Sequence, residues 1–485
     1  MSESGSVGGR AASSIPWIAL DKWGTRLISI VVLLVLGRIL SVDDFGLIAL
    51  AQIFIAFAGV FVDQGFSKAL IQRFDLTPTH VNTAFFASNV LAVILAGASA
   101  LLSGPISSLF GSPDLQPVIA VLSGALVVNA LSSTPAALME RDFRFRELAI
   151  RRVSGAFAGG VAGIVLALAG AGVWSLVAQT MVAAVVGLIS IWLTSGWRPG
   201  TTVSRDALRE LWSVGFAVLG IELIGLVNSQ SDRLLVAAFL STEALGFYFM
   251  AMRLVSLLVE LFSSIFSTVS LTSLSRLQND RPSMLRLLYK LAGSSCAVAI
   301  PVFTGAVIMA PVLFEVVIGA KWQPSVVLFQ ILCGLGALNA LAYFDRSTLL
   351  AVGRAGAAFQ LTLGQSILGI LLVLGVAPFG VIWVALAVTA RQYLFWPIRL
   401  WYLARYAGVR PLTYFVQWFT PFLISVFVLL GAFLLSSYVV RFDDSPLAYT
   451  LVMIPWWLGS FALGFRLFMW DTVRTAIEVV RRRGK

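Results

Sequence analysis

Three arginines stand well inside apolar stretches of this chain. Arg233 closes the polar hexad NSQSDR, Asn228 to Arg233; Arg253 lies in FYFMAMRLV; Arg391, followed by Gln392, interrupts ALAVTARQYLF. Inserting such a cation into hydrocarbon costs about 2.5 to 3.5 kcal/mol, so each is expected to face protein or water rather than lipid. A guanidinium fork donates two parallel hydrogen bonds to phosphate oxygens, which makes anion binding the chemistry on offer. Asn228 and Gln230 add neutral donors and acceptors to the same segment. Acids offer a second chemistry. Glu222 and Glu260 lie at similar depths on consecutive apolar runs, and a pair of this kind reads either as a site for a coupling Na⁺ or H⁺ or as acids that are solvated or paired with basic residues. Asp232 is equally able to neutralise Arg233 and Arg253 and so tie helices together. Asp63, in VDQGFSKALIQR, ends an apolar run roughly 25 Å long, level with Lys22 and Arg26. A pair between Asp63 and Arg26 or Lys22 reads either as an interfacial lock or as an inner gate.

Catalytic constellations are missing from the pattern. The single histidine, His80, borders an apolar run, and Cys296 and Cys333 both fall inside such runs. No His/Cys/carboxylate group has metal-ligand spacing, and no base stands ready for a nucleophile, so no enzyme and no resident cofactor are expected.

The elements that must position these residues follow from composition. Hydrophobic residues make up 59% and charged residues 12% of the 485, with a mean hydropathy of +0.93. About fourteen apolar runs of roughly 18 to 25 residues recur along the chain, each long enough to cross hydrocarbon as a helix. Barrel strands are short and alternating, so the expectation is an all-α polytopic membrane protein. The N-terminal MSESGSVGGRAASS lacks the features of a secretory signal and is expected to be a disordered cytoplasmic tail. With that end inside, only Arg38, Lys321 and Arg441 fall on outer loops, whereas the other cations of the loops and tails, Arg399 among them, fall on the inner side. The positive-inside rule is thereby obeyed, both termini are cytoplasmic, and the formal charge of +11 is a topology signal rather than a nucleic-acid patch.

Internal correspondences divide the runs. LSVDDFGLIALA from Leu40 matches LSTEALGFYFMA from Leu240, with Ser41 and Ser241 at a spacing of 241 − 41 = 200. Gln116-Pro117 matches Gln323-Pro324 at 324 − 117 = 207, and Gly172-Val173 matches Gly380-Val381. Six spans separate the partners, so two parallel six-helix lobes related by an axis along the membrane normal are expected, followed by two extra helices. The expected division is 1–195 for the first lobe, 196–213 for a linker, 214–403 for the second lobe and 404–485 for the last two spans with a basic tail. In the linker, Ser204 reads as the cap of a short helix presenting Leu208, Leu211 and Trp212, either lying in the interface or solvated as a plain linker helix. NSQSDR puts polar side chains all round the seventh span, which must be enclosed on most sides or locally broken, lining a cavity between the lobes. Gly155, Gly159 and Gly163 form a surface for close helix approach.

VDQGFSKALIQR, WQPSVVLFQIL from Trp322, PAALMERDFRF from Pro135 and LTSLSRLQND from Leu271 together resemble bacterial polysaccharide exporters of the Wzx kind. Their superfamily also holds the MATE drug exporters and the lipid II flippases. The resemblance spans nearly the whole chain and implies movement of a polyprenyl-diphosphate-linked oligosaccharide across the bacterial inner membrane by alternating access. It also implies dealings with membrane lipids and with polysaccharide polymerase and chain-length machinery, and none with nucleic acid. A diphosphate crossing about 30 Å of hydrocarbon needs a hydrated, cationic path. Arg391, about 16 Å into its span, and Arg233 and Arg253, each about 10 to 12 Å below one shared loop, are the expected substrate ligands with Arg26, Asn228, Gln230 and Gln392. A MATE-like exporter of cations and a lipid II-type flippase stay open as alternatives at this stage.

Overall fold

A computed structural model describes residues 2–63, 66–73, 75–278 and 280–469. The chain divides into two compact units, Met1–Gly246 and Phe247–Lys485. The first carries α1 (Ser2–Ile39), α2 (Val42–Asp63), the short α3 (Phe66–Gln72), α4 (Pro78–Leu109), α5 (Leu115–Arg141), α6 (Phe145–Leu168), α7 (Val173–Thr194) and α8 (Arg205–Phe239). Starting with α9 (Thr242–Arg276), which begins in the first unit, the chain continues through α10 (Arg281–Pro311), α11 (Gln323–Ala351), α12 (Ala355–Val376), α13 (Val381–Ala407), α14 (Pro411–Tyr438) and α15 (Pro446–Phe468). Among the described residues there are no strands, and the fourteen long helices answer one for one to the fourteen apolar runs. The protein is a multi-pass membrane protein. Among the described residues eleven stretches satisfy the length and apolarity of a span, one of them covering both α10 and α11.

The repeat residues all sit where helices begin. Ser41 Oγ accepts from Asp44 N at 3.1 Å and Ser241 Oγ accepts from Ala244 N, also at 3.1 Å, so equivalent serines cap α2 and α9. Gly172 and Gly380 precede α7 and α13 with φ of 55° and 118°, values that an L side chain avoids. Gln116-Pro117 and Gln323-Pro324 open α5 and α11. Within the first unit the equivalent glycines meet in reciprocal fashion: a Cβ on Gly46 would collide with the carbonyl of Thr242, and one on Gly246 with that of Val42.

Close packing of α6 on α7 uses the glycine surface read from the sequence. A Cβ at Gly155 would lie 2.8 Å from the Ala183 carbonyl oxygen, and one at Gly159 would lie 2.8 Å from the Ala183 methyl. Gly160, on another face, receives Val32 of α1. In the second unit two consecutive tryptophans of α15 fit over glycines. Trp457 covers Gly305 of α10 and donates to the Pro301 carbonyl at 3.0 Å; Trp456 covers Gly431 of α14 and donates to the Val428 carbonyl, also at 3.0 Å. The last two helices are thereby keyed to α10 and to each other.

Several expectations are corrected. The N-terminal stretch expected to be disordered is helical backbone, because α1 starts at Ser2. The linker does form a helix capped by Ser204, whose Oγ accepts from Asp206 N at 3.2 Å, but it runs without interruption into the seventh span. The resulting α8 is continuous, so a locally broken seventh span is excluded; a helix satisfies its own backbone whatever its side chains. By packing, α8 belongs to the first unit, against α2, α3 and α4. The helix α3 had no counterpart in the sequence reading, since its seven residues are too short for a periodic signal. Cys296 and Cys333 are buried thiols.

Candidate functional site

The second unit contains a polar core inside membrane-length helices. On α11, Leu338, Leu341, Asp345 and Thr348 follow one helical stripe and all are buried, so an acid occupies a position that packing would give to leucine. On α13 the stripe Val388, Gln392, Phe395, Arg399 and Leu403 is likewise buried, which brings two polar residues into the same interior. Asp345 is 3% exposed and Arg399 9%.

These side chains are linked in sequence. Gln392 Nε2 donates to Asn339 Oδ1 at 2.7 Å, and its Oε1 accepts from Gln365 Nε2 of α12. Gln365 Oε1 accepts in turn from Arg399 Nη2, which also lies 3.4 Å from Gln392 Oε1. Arg399 Nη1 faces Asp345 Oδ2 at 3.8 Å, an ion pair too long for a hydrogen bond. The other carboxylate oxygen, Oδ1, accepts from the Tyr414 hydroxyl of α14 at 2.8 Å. Among the described residues neither Asp345 Oδ2 nor Arg399 Nη1 has a hydrogen-bond partner. Arg391, 8% exposed, lies flat against α12: a Cβ on Gly369 would sit 2.5 Å from its Cδ and 3.1 Å from its Cζ. Trp396 and Trp418, with ring centroids 5.1 Å apart, flank the core and help exclude water from it.

The first unit keeps its ion pairs nearer its surface. Lys68 of α3 pairs with Glu222 of α8, both about half exposed. Arg73 pairs with Glu210, which His80 Nε2 also approaches at 3.2 Å. The hydrogen bond from Arg73, reinforced by His80, holds the Glu210 carboxyl below the usual carboxylate range. Arg141 Nη1 donates to the Leu70 carbonyl at 2.7 Å, and Arg152 Nη1 to Asp21 Oδ2 at 2.7 Å. The first three contacts of this set and Arg141 fasten α3, the segment after it and α8 to the helices beside them, and Arg152–Asp21 ties α6 to α1.

The sequence-derived residues divide accordingly. Arg391 and Gln392 lie in the buried core of the second unit. Arg233 Nη1 donates to Gln230 Oε1 at 3.2 Å one turn away on α8, with Asn228 half-buried and Asp232 buried beside them. Arg26 on α1, and Arg253 and Glu260 on α9, are half-buried. Glu222, about half exposed, is paired with Lys68 within the first unit. The Asp63 side chain, and with it the expected pair to Arg26 or Lys22, lies outside the described residues.

Sequence reasoning missed Asp345, Arg399, Gln365, Asn339 and Tyr414. Asp345 directly precedes the cation Arg346 and is not singled out by the sequence; Arg399 is counted there among inner-side cations. Both helices run on past these residues, to Ala351 and Ala407. The overlooked signal was periodic, because each residue falls on its helix's apolar stripe.

Among the described residues the fold is all-helical and multi-pass, with arginines and amides buried inside membrane-length helices. The chain belongs to the polysaccharide biosynthesis protein family, whose family model matches residues 35–327. It is 25% identical to the succinoglycan biosynthesis transport protein ExoT of Rhizobium meliloti (strain 1021), over 64% of this chain and 63% of that protein, a little under two thirds of the relative's length. It is 24% identical to the lipopolysaccharide biosynthesis protein WzxC of Escherichia coli (strain K12), over 74% and 73%. The teichuronic acid biosynthesis protein TuaB of Bacillus subtilis (strain 168) is 23% identical over 89% and 90%. In fold the chain is similar to the lipid II flippase MurJ in an inward closed conformation, with a TM-score of 0.74, 14% identity and coverage of 95% of this chain and 100% of that one. An inward-facing multidrug resistance MATE family transporter gives 0.56 at 14% identity, over 79% and 95%.

Proposed function

We propose that this protein is a flippase that carries a polyprenyl-diphosphate-linked oligosaccharide from the inner to the outer leaflet of a bacterial inner membrane by alternating access, with both termini cytoplasmic. The observation that carries the reading is the polar core of the second unit. Two arginines, Arg391 and Arg399, are buried inside membrane helices, Arg399 against amides and one acid, where a lipid-facing or purely packing role would select neither. Guanidiniums bind diphosphate in a fork, and Asn339, Gln365 and Gln392 can donate to and accept from sugar hydroxyls. Arg26, Asn228, Gln230 and Arg233 of the first unit and Arg253 of the second are further candidate substrate ligands, with Asp232 and Glu260 as candidates for charge balance or ion coupling. The fold shared with MurJ and the family's place in polysaccharide biosynthesis support the same substrate class. A polysaccharide polymerase and its chain-length machinery would receive the delivered unit.

Transbilayer movement of a fluorescent polyprenyl-diphosphate oligosaccharide in proteoliposomes tests the reading, with a cationic dye as competitor. Wild type is expected to move the lipid and Arg391→Ala to stall while still folded. Movement of the dye alone would replace the flippase by a MATE-like cation exporter.

A further inference from the structure

We infer that the second unit carries a binding site for an anionic phospholipid headgroup where α13 ends and α12 begins, with Arg354 and Arg405 as its phosphate ligands. The site is exposed, unlike the polar core, and does not depend on which substrate the protein moves.

A ladder of rings closed at each end by a cation is the first observation. Trp401, Tyr402 and Tyr406 follow one another along the last turns of α13, with ring centroids 5.2 Å apart for the first pair and 5.7 Å for the second. The Arg405 guanidinium lies over the Trp401 ring at 5.7 Å, and that of Arg354, the residue before α12, lies over the Tyr406 ring at 5.4 Å. Stacking on a ring face holds a guanidinium in place and leaves its N–H edge to donate in plane, which is the fork that a phosphate accepts. Tyr402 Oη donates to Gln360 Oε1 at 3.2 Å, so the ladder also bridges α13 to α12.

Charge is the second. Both arginines are exposed, and among the described residues neither has an acidic partner. The stretch from Arg346 to Phe442 contains no aspartate or glutamate at all. In the first unit, by contrast, Lys68, Arg73, Arg144 and Arg152 each face a carboxylate. A partner from outside the chain is needed to bring negative charge to Arg354 and Arg405.

The third observation says what that partner is. On α13, Leu394, Ile398, Trp401 and Arg405 recur at helical spacing and all are exposed, and on α12 Phe359, Leu363 and Ile367 do the same. Exposed apolar stripes on membrane-length helices suit acyl chains, and tryptophan and tyrosine rings favour the level where hydrocarbon gives way to headgroups. A phospholipid whose chains lie along these stripes brings its phosphate to the helix ends, where the arginines stand. A soluble anion would meet the arginines and leave the stripes unused; a zwitterionic lipid would use the stripes and bring no net charge. Phosphatidylglycerol does both, with one net negative charge that each arginine attracts.

The test is native mass spectrometry of the full-length protein in detergent, titrated with phosphatidylglycerol or with phosphatidylcholine of the same acyl chains. Wild type is expected to bind phosphatidylglycerol more tightly. Arg354→Gln with Arg405→Gln should weaken that binding by roughly tenfold or more and leave phosphatidylcholine unchanged, with thermal unfolding to confirm that the variant is folded. Arg205→Gln with Arg209→Gln, which removes two exposed arginines from the start of α8, should keep the wild-type preference. Equal binding of the two lipids by wild type overturns the proposal, as does a preference that survives in Arg354→Gln with Arg405→Gln or falls equally in both double variants. Displacement of the bound lipid by inorganic phosphate would reduce the patch to a plain anion site, and displacement by farnesyl-diphospho-glucose, a short diphosphate diester, would reassign it to the transported lipid; either result overturns the proposal and leaves the flippase reading standing.

Discussion

Gly369 sets where Arg391 can lie, and replacing it should be felt in substrate binding. A methyl at this position would stand 2.5 Å from Cδ and 3.1 Å from Cζ of Arg391, and closer still to Nη1. Carbon atoms pack at about 3.5 to 4.0 Å, so the side chain must retreat by roughly 1 Å along the part nearest its backbone, where swinging the tip gives no relief. Overpacking of this kind costs about 1 to 3 kcal/mol. That cost falls on folding; the binding consequence comes from the displaced fork, and losing one charge-assisted hydrogen bond to an oxyanion, about 1.4 kcal/mol, is about tenfold in affinity. Gly364 supplies the control. On the same helix, a methyl there meets only the Phe395 ring, at 3.1 Å and 3.4 Å. The assay is binding of farnesyl-diphospho-glucose to Gly369→Ala, Gly364→Ala and Arg391→Ala in nanodiscs, with thermal unfolding to confirm that each is folded. Gly369→Ala should weaken binding toward the level of Arg391→Ala, with Gly364→Ala close to wild type. If Gly369→Ala binds like wild type while Arg391→Ala does not, the contact with Gly369 does not position the arginine. If both bind like wild type, Arg391 is a structural residue.

Two further outcomes concern stability. The Glu210 carboxyl is held below its ordinary range by Arg73 and then His80, so its contribution is fully present above the ordinary carboxylate value and disappears as pH falls through the depressed one. The window lies below about pH 4.3, and Glu210→Gln should flatten the acid limb of Tm against pH there while leaving the neutral limb parallel to wild type. Trp457→Phe removes the hydrogen bond to the Pro301 carbonyl but keeps an aromatic ring over Gly305. It should lower stability by about 0.5 to 1.5 kcal/mol in detergent unfolding, and an unchanged midpoint would mean that α15 is held by packing alone.

Much of the architecture was legible because the bilayer is a severe solvent. Runs of apolar residues have to be helices, and their ends have to carry the polar and turn-forming residues. That is why Ser41 and Ser241, or Gly172 and Gly380, could be matched two hundred residues apart: each performs a local task at a helix start that few residue types can do. Gly155, Gly159 and Gly163 were readable for the same reason, since a row of absent side chains admits only close approach. The interior polar core was read in part. Arg391 and Gln392 stood out because they are far from any loop, whereas Asp345 and Arg399 sit beside residues that imitate helix ends.

By itself, then, the amino-acid sequence determined the number of membrane-length helices, the starts of several of them and the presence of buried cations, because those depend on local hydrophobicity and on backbone groups that must be satisfied within each segment. Only the tertiary structure decided which polar residues share an interior. That Asp345, Tyr414, Arg399, Gln365, Gln392 and Asn339 form one chain of contacts depends on how four helices are rotated about their axes. Rotation is set by the sum of many side-chain contacts across helices, and no single stretch of sequence carries that sum.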